Sequence, residues 1–278
     1  MRAEVSTYFK CMQAGILCVM KKRNVITISI FLVFYVSFGA YLYLNQEKIV
    51  YQPFAQDFNS CSDFSEAEKV TYRDTRMYIK KNGTEPVVVL YHGNAGSACD
   101  RAFYADLFAG AGYGYIIVEY AGYSNDTRIS THELVKQDVE HVVSYLKNQD
   151  VESVIIVGES IGTGVAAYHA SVAPPDKLLL ISPFTDLRAI ARNRFWFYPT
   201  SILVDNAFNN VVALDKYRGV VTIIHGTKDT IIPHDLGSQL FQAIQANKKL
   251  VSIEGAGHNN LFRFEDTHKA LGEFLNHQ

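Results

Sequence analysis

A serine stands between two glycines at Gly158-Glu159-Ser160-Ile161-Gly162, directly after the apolar run SVIIV and before the helix-like stretch TGVAAYHAS. Strand, sharp turn and helix in that order push a serine hydroxyl out at the edge of a sheet, and small flanking residues let the backbone bend and pack. The bare five-residue pattern is weak because glycine and serine are common, so its flanks carry the argument. A hydroxyl is a poor nucleophile near neutral pH. It needs an imidazole to take its proton and a carboxylate to fix the imidazole's tautomer.

Both groups follow later apolar runs. After VVTIIHG comes Thr227-Lys228-Asp229, and after LVSIEG comes Ala256-Gly257-His258. The chain order Ser160, Asp229, His258, each beyond the carboxyl end of a strand, suits acyl transfer by a serine nucleophile. Taken alone, Asp229 reads equally well as a turn residue or helix cap. Asp205 and Asp235 are rival acids, and His225 and His234 rival bases. His92 and His225 each precede a glycine at a strand end, where a structural role is expected.

Acyl transfer also needs donors aimed at the developing oxyanion. Ile161, next after the serine, supplies one backbone N–H. The second is expected from the loop His92-Gly93-Asn94-Ala95-Gly96-Ser97, with Asn94 favoured over Ala95. An ordinary glycine-rich turn is the simpler reading of that loop. The chemistry needs no cofactor, and no cysteine or histidine cluster has metal-binding spacing.

The elements that must position these residues alternate. Apolar runs near 87–92, 115–120, 153–158, 177–182, 220–225 and 249–254 read as strands buried on both faces. Between them, 100–111, 132–146, 162–172, 235–246 and 264–275 have the length and spacing of covering helices, and a meander near 69–80 opens the domain. The expected class is α/β: a mostly parallel central sheet flanked by helices.

At these residues the chain resembles the ABHD-type, prolyl-oligopeptidase-related branch of the α/β-hydrolases, several of which carry an N-terminal membrane anchor. The segments LYHGNAGS, VGESIGTGVA, ISPFTDL, IIHGTKDTIIP and GAGHNNLF carry the likeness, which spans most of 87–274. It implies the α/β-hydrolase fold, with Ser160, Asp229 and His258 as nucleophile, acid and base. Two departures stand out. Relatives often read Y-R-G-Y-G where this chain has Tyr120-Ala121-Gly122-Tyr123-Ser124, a change at the rim of the pocket. Relatives often carry an acid two residues after the histidine, where Asn260 stands here.

Between 183 and 219 lies an aromatic-rich insertion, with Phe184, Phe195, Trp196, Phe197, Tyr198 and Phe208, expected to form a small helical lid. Phe184, Trp196 and Tyr123 are the candidates for lining a substrate pocket suited to a fatty acyl chain. The plainer alternative is that these rings pack the lid onto the domain.

The 278 residues are 48% hydrophobic and 19% charged, enough for one sizeable globular domain and a short extra segment. A formal net charge of -2 gives no field for gripping phosphates, so nucleic acid is not an expected partner. Residues 25–44 carry no charge and as a helix would cross a hydrocarbon core of roughly 30 Å. Arg2, Lys10, Lys21, Lys22 and Arg23 precede them against the single acid Glu4. That bias keeps the first side cytoplasmic and sends the catalytic domain across. A signal peptide cleaved near Ser37, Phe38 and Gly39, giving a secreted protein, is the alternative. The expected organisation is a tail at 1–24, an anchor at 25–44 and one hydrolase domain at 45–278.

Of the four cysteines, only Cys61 and Cys99 would meet an oxidising compartment, and whether they bond is left to geometry. The expected activity is hydrolysis of an ester or thioester through an acyl-enzyme, with a lipid or fatty-acyl substrate among the candidates and no obligate protein partner. A peptidase, an acyltransferase, or a catalytically idle lipid-binding or scaffold module remains as an alternative.

Overall fold

The computed structural model describes residues 24–54, 56–81, 83 and 86–276. The basic residues ahead of the apolar run, with Cys11 and Cys18, lie outside that set. The chain divides into two compact units, Met1–Gln46 and Glu47–Gln278. In the first, helix α1 (Asn24–Leu44) runs 21 residues. At 1.5 Å per residue it is about 31 Å long, and its length and uncharged composition fit a membrane anchor.

The second unit is built on eight strands: β1 (Glu68–Tyr72), β2 (Thr75–Lys80), β3 (Val87–Tyr91), β4 (Gly114–Glu119), β5 (Val154–Glu159), β6 (Lys177–Ile181), β7 (Val220–Gly226) and β8 (Asn247–Ile253). Across the sheet their order is β8-β7-β6-β5-β3-β4-β2-β1. β1 and β2 form an antiparallel hairpin and β2 runs antiparallel to β4, whereas every other pairing is parallel. Parallel neighbours need crossovers, and helices supply them. They are α2 (Phe103–Gly110), α3 (His132–Asn148), α4 (Gly162–Val172), α5 (Leu187–Arg194) and α6 (His234–Ala243), and a last helix, α7 (Glu265–Asn276), follows β8.

Burial on both faces explains the unbroken apolar runs. Val89 and Tyr91 of β3 enter one core layer with Val118, Ile156 and Val165, while Val88 and Leu90 enter the other with Ile117, Val157 and Phe108. Helix starts are set locally: Thr131 Oγ1 accepts the N–H of Leu134 at 3.1 Å ahead of α3, and Asp186 Oδ1 that of Ala189 at 3.1 Å ahead of α5. Each such cap is worth about 1 kcal/mol.

After β3 the chain steps to β4 on one side, then crosses back over β3 to place β5 on the other. The carboxyl ends of β3 and β5 therefore flank the point where strand order reverses, the place where open α/β sheets form a crevice. The loop 92–97 and Ser160 both emerge there. Cys61 and Cys99 are joined by a disulfide, with Cα atoms 6.0 Å apart.

Candidate active site

Ser160 sits between β5 and α4 with φ 55°, a left-handed conformation that costs a residue bearing a Cβ roughly 1–2 kcal/mol. The surroundings hold it there. Its N–H donates to Ile181 O at 2.8 Å, and its carbonyl accepts from Thr163 N at 3.0 Å and Thr163 Oγ1 at 2.7 Å. The flanking glycines are required by contact: a Cβ on Gly158 would lie 2.6 Å from Gly162 O, and one on Gly162 would lie 2.1 Å from Tyr91 O.

His258 bridges the other two residues. Its Nε2 lies 2.9 Å from Ser160 Oγ, and its Nδ1 2.7 Å from Asp229 Oδ2. An ionised carboxylate only accepts, so the proton between them belongs to Nδ1, leaving the Nε2 lone pair facing the hydroxyl. Asp229 Oδ1 is taken by the N–H groups of Ile231 at 2.9 Å and Ile232 at 2.8 Å. Burial pushes this carboxyl's pKa up, but hydrogen bonds from His225 and His258 and the peptide N–H of Ile232 outweigh it and hold the pKa well below the usual range. Asp229 therefore stays ionised, as an orienting acid must.

The loops bearing acid and base are stitched together. Lys228 N–H donates to Ala256 O at 2.8 Å, and Gly255 N–H to Thr227 Oγ1 at 2.9 Å. Asn260, where relatives often have an acid, uses Oδ1 to accept the N–H of Gly257 at 2.7 Å. It shapes the turn that carries His258.

The rival residues fall elsewhere. Asp205 and Asp235 are exposed. His234 Nε2 pairs with Ser252 Oγ at 2.8 Å. His225 is fully buried, its Nε2 2.9 Å from Ile232 O and 3.3 Å from Asp229 Oδ2, so it braces the acid from behind. His92 is also buried, stacked on Tyr120 with ring centres 4.2 Å apart.

Loop 92–97 comes up against the serine: a Cβ on Gly93 would lie 3.5 Å from Ser160 Cβ. Two successive peptide planes in it are fixed. Gly93 O is met by His92 Nδ1 at 2.8 Å, and Asn94 O accepts from Tyr123 Oη at 2.6 Å and Gln52 N at 3.2 Å. Because N–H and C=O oppose each other across a trans peptide, these bonds also set the directions of the Asn94 and Ala95 N–H groups. Ile161 is the N-cap of α4, at the end where helix geometry leaves amide hydrogens without intrahelical acceptors.

Several residues here left no mark in the sequence reading. Arg101 reaches Glu159 with Nη2 at 3.0 Å and Nε at 3.2 Å, and Tyr104 Oη donates to the same carboxylate at 3.1 Å. This cluster touches the loop beside the serine, since a Cβ on Gly93 would lie 3.2 Å from Glu159 Oε1. The signal available was the acid next to the serine, which lacks meaning until its distant partner is known.

The three aromatic residues expected to line a pocket are placed differently. Phe184 is fully buried beneath α4, where its ring would meet a Cβ on Gly164 at 3.0 Å. Tyr123 is fully buried and spends its hydroxyl on Asn94 O. Trp196 is 79% exposed, its ring edge against Phe197. Apolar type alone did not separate core from surface in this insertion, which consists of α5 and two single helical turns, Thr200–Leu203 and Asn210–Ala213. In the segment at 120–124, Ser124 adopts φ 49° and donates from Oγ to the buried Glu119 at 2.6 Å.

No protein-family model matches the chain. It is 26% identical over 232 residues to an uncharacterized protein of Mycobacterium tuberculosis, covering 79% of this chain and 83% of that one. It is 25% identical over 223 residues to the lysophosphatidylserine lipase ABHD12 of Gallus gallus, covering 69% of this chain and 58% of that longer one. Among solved structures, a Pyrococcus furiosus esterase superposes with a TM-score of 0.66 at 20% identity, over 81% of this chain and 98% of its own. The sheet order, the turn at Ser160 and the structural likeness agree on the α/β-hydrolase fold, and in sequence the chain is similar to ABHD-type members of it.

Proposed function

We propose that the protein is a serine hydrolase that cleaves a carboxylic ester or thioester through an acyl-enzyme. The observation that carries this reading is the imidazole of His258, 2.9 Å from a serine hydroxyl and 2.7 Å from a buried carboxylate. In the first half-reaction His258 Nε2 takes the Ser160 proton as Oγ attacks the acyl carbon. The carbonyl electron pair moves onto oxygen, where the N–H groups of Ile161 and Asn94 hold it. Collapse of the tetrahedral species breaks the bond to the leaving group, which takes the proton back from His258. Water, deprotonated by the same imidazole, then releases the acid and restores Ser160.

The substrate class we favour is a lipid or other long-chain acyl ester. Its support is the apolar helix Asn24–Leu44, which suits a bilayer anchor, and the likeness to a protein named as a lysophosphatidylserine lipase. The catalytic domain is proposed to lie outside the cytoplasm, with the N-terminus inside. The basic residues before α1 and the Cys61–Cys99 disulfide both favour that arrangement.

The test is turnover by the full chain in detergent against p-nitrophenyl esters and acyl thioesters of rising chain length. Hydrolysis that strengthens with chain length is expected. A protein that binds long-chain lipids yet cleaves none of these compounds would instead be the idle binding module.

A further inference from the structure

The stretch that opens the second unit passes directly over the loop beside Ser160. Residues 52 and 53 pair in parallel with residues 95 and 96, Gln52 opposite Ala95 and Pro53 opposite Gly96. Gln52 N–H donates to Asn94 O at 3.2 Å and Phe54 N–H to Gly96 O at 3.4 Å. Tyr123 Oη closes the group, donating to the same Asn94 carbonyl at 2.6 Å. The stretch is itself fixed at both ends. Upstream, Tyr51 is buried with its hydroxyl 2.9 Å from His132 Nδ1, and Glu47 Oε1 accepts the His132 N–H at 2.9 Å. Downstream, Cys61 is bonded to Cys99, just past the end of the loop, and Gln56 Nε2 reaches Cys99 Sγ at 3.1 Å.

A glycine-rich loop with no partner would sample many peptide orientations, and an oxyanion donor helps only when it is already aimed. From these contacts we infer that residues 51–54 are a positioning strap for the oxyanion loop. In this reading Gln52 and Tyr123 fix the Asn94 carbonyl, which turns the Ala95 N–H and anchors one side of the Asn94 backbone, while the adjoining peptide that bears the Asn94 N–H donor is met by His92 Nδ1 at Gly93 O. The inference rests on the serine-hydrolase reading and deepens it. It makes a segment far from the triad in sequence, and next in the chain to the apolar helix, part of the machinery that stabilises the transition state. The strap touches no substrate; it acts through Asn94.

The full chain is compared with two variants. Gln52→Pro removes the strap's donor, and Tyr123→Phe removes the other while keeping the ring. Each is assayed for turnover of a p-nitrophenyl ester that the wild type cleaves. Each is also assayed for affinity toward a trifluoromethyl ketone, which accepts Ser160 Oγ at its carbonyl carbon while its oxygen becomes an oxyanion. Gln52→Pro is expected to lower kcat about 10- to 100-fold and weaken the ketone by a similar factor, with KM within about twofold, since a single oxyanion donor is worth about 100- to 1000-fold. Tyr123→Phe is expected to shift both in the same direction by less, at an unchanged thermal midpoint, and it decides the matter should Gln52→Pro not fold. Folded Tyr123→Phe and Gln52→Pro proteins with wild-type kcat and ketone affinity would overturn the strap alone. A wild-type chain that neither cleaves esters nor binds the ketone would overturn the hydrolase reading and the strap with it.

Discussion

His225 Nε2 lies 3.3 Å from the same Asp229 oxygen that pairs with His258, so the acid is held between two imidazoles, one buried and one beside Ser160. The buried ring is fixed by Ile232 O on one side and by the backbone of Gly237 on the other, where a Cβ would lie 2.3 Å from Nδ1. In an exposed helix, Gly to Ala gains up to about 1 kcal/mol. Here Gly237→Ala is expected to do the opposite, lowering the thermal midpoint and reducing kcat as His225 is pushed toward Asp229. Calorimetry and ester kinetics on this variant check it, and a stabilised, fully active Gly237→Ala would contradict the brace.

Asn260 offers a second test. Its Oδ1 accepts the Gly257 N–H, and a carboxylate can accept equally well. Asn260→Asp is therefore expected to retain kcat within about threefold, whereas Asn260→Ala leaves the turn before His258 without its acceptor and costs about 1 kcal/mol of stability with a measurable loss of rate. Equal behaviour of the two variants would show that the side chain does not shape the base loop.

Between about pH 4 and 7, Asp138 should make stability fall as pH rises. Burial raises its carboxyl pKa from 3.8 to about 6, although Thr75 Oγ1 and Ala121 N each donate to it at 2.7 Å. A raised pKa means that the folded state holds the proton more tightly. The contribution is complete below about pH 4 and is lost as pH rises through about 6, on the order of 3 kcal/mol in all. Asp138→Asn can satisfy both neighbours and carries no titrating proton, so urea midpoints across pH 4 to 7 should lose that component of slope. An unchanged slope in the variant would contradict the assignment.

The Cys61–Cys99 bond closes a stretch with a sequence separation of 38. Chain-entropy arguments give such a crosslink about 4 kcal/mol. Replacing both cysteines with serine should lower the urea midpoint correspondingly, and reducing agent should do the same to the wild type while leaving the double variant unchanged. Wild-type and double-variant proteins of equal stability would mean that the crosslink contributes nothing to the fold.

What the sequence made legible was whatever its signal kept local. Ser160, Asp229 and His258 each stand in a short loop directly after a run of β-branched and aliphatic residues, and the two glycines beside Ser160 announce a tight turn. Alternating strand and helix patterns led to a parallel sheet because strands buried on both faces must be apolar throughout. Pairings between distant segments were invisible. Nothing in Gln52 or Tyr123 points to Asn94, and nothing in Arg101 points to Glu159, until the sheet brings them together. The insertion at 183–219 misled for a related reason: its helices are too short for periodicity to tell buried Phe184 and Phe208 from exposed Trp196.

The most direct test of the account is the rate at which a fluorophosphonate labels the full chain, with the modified residue located by mass spectrometry. The wild type should be modified at Ser160. Labelling should be abolished in Ser160→Ala and slowed at least about 100-fold in His258→Ala, the size expected when a nucleophile loses its base. Modification at a different serine, or an undiminished rate in His258→Ala, would contradict the claim that this imidazole activates this hydroxyl.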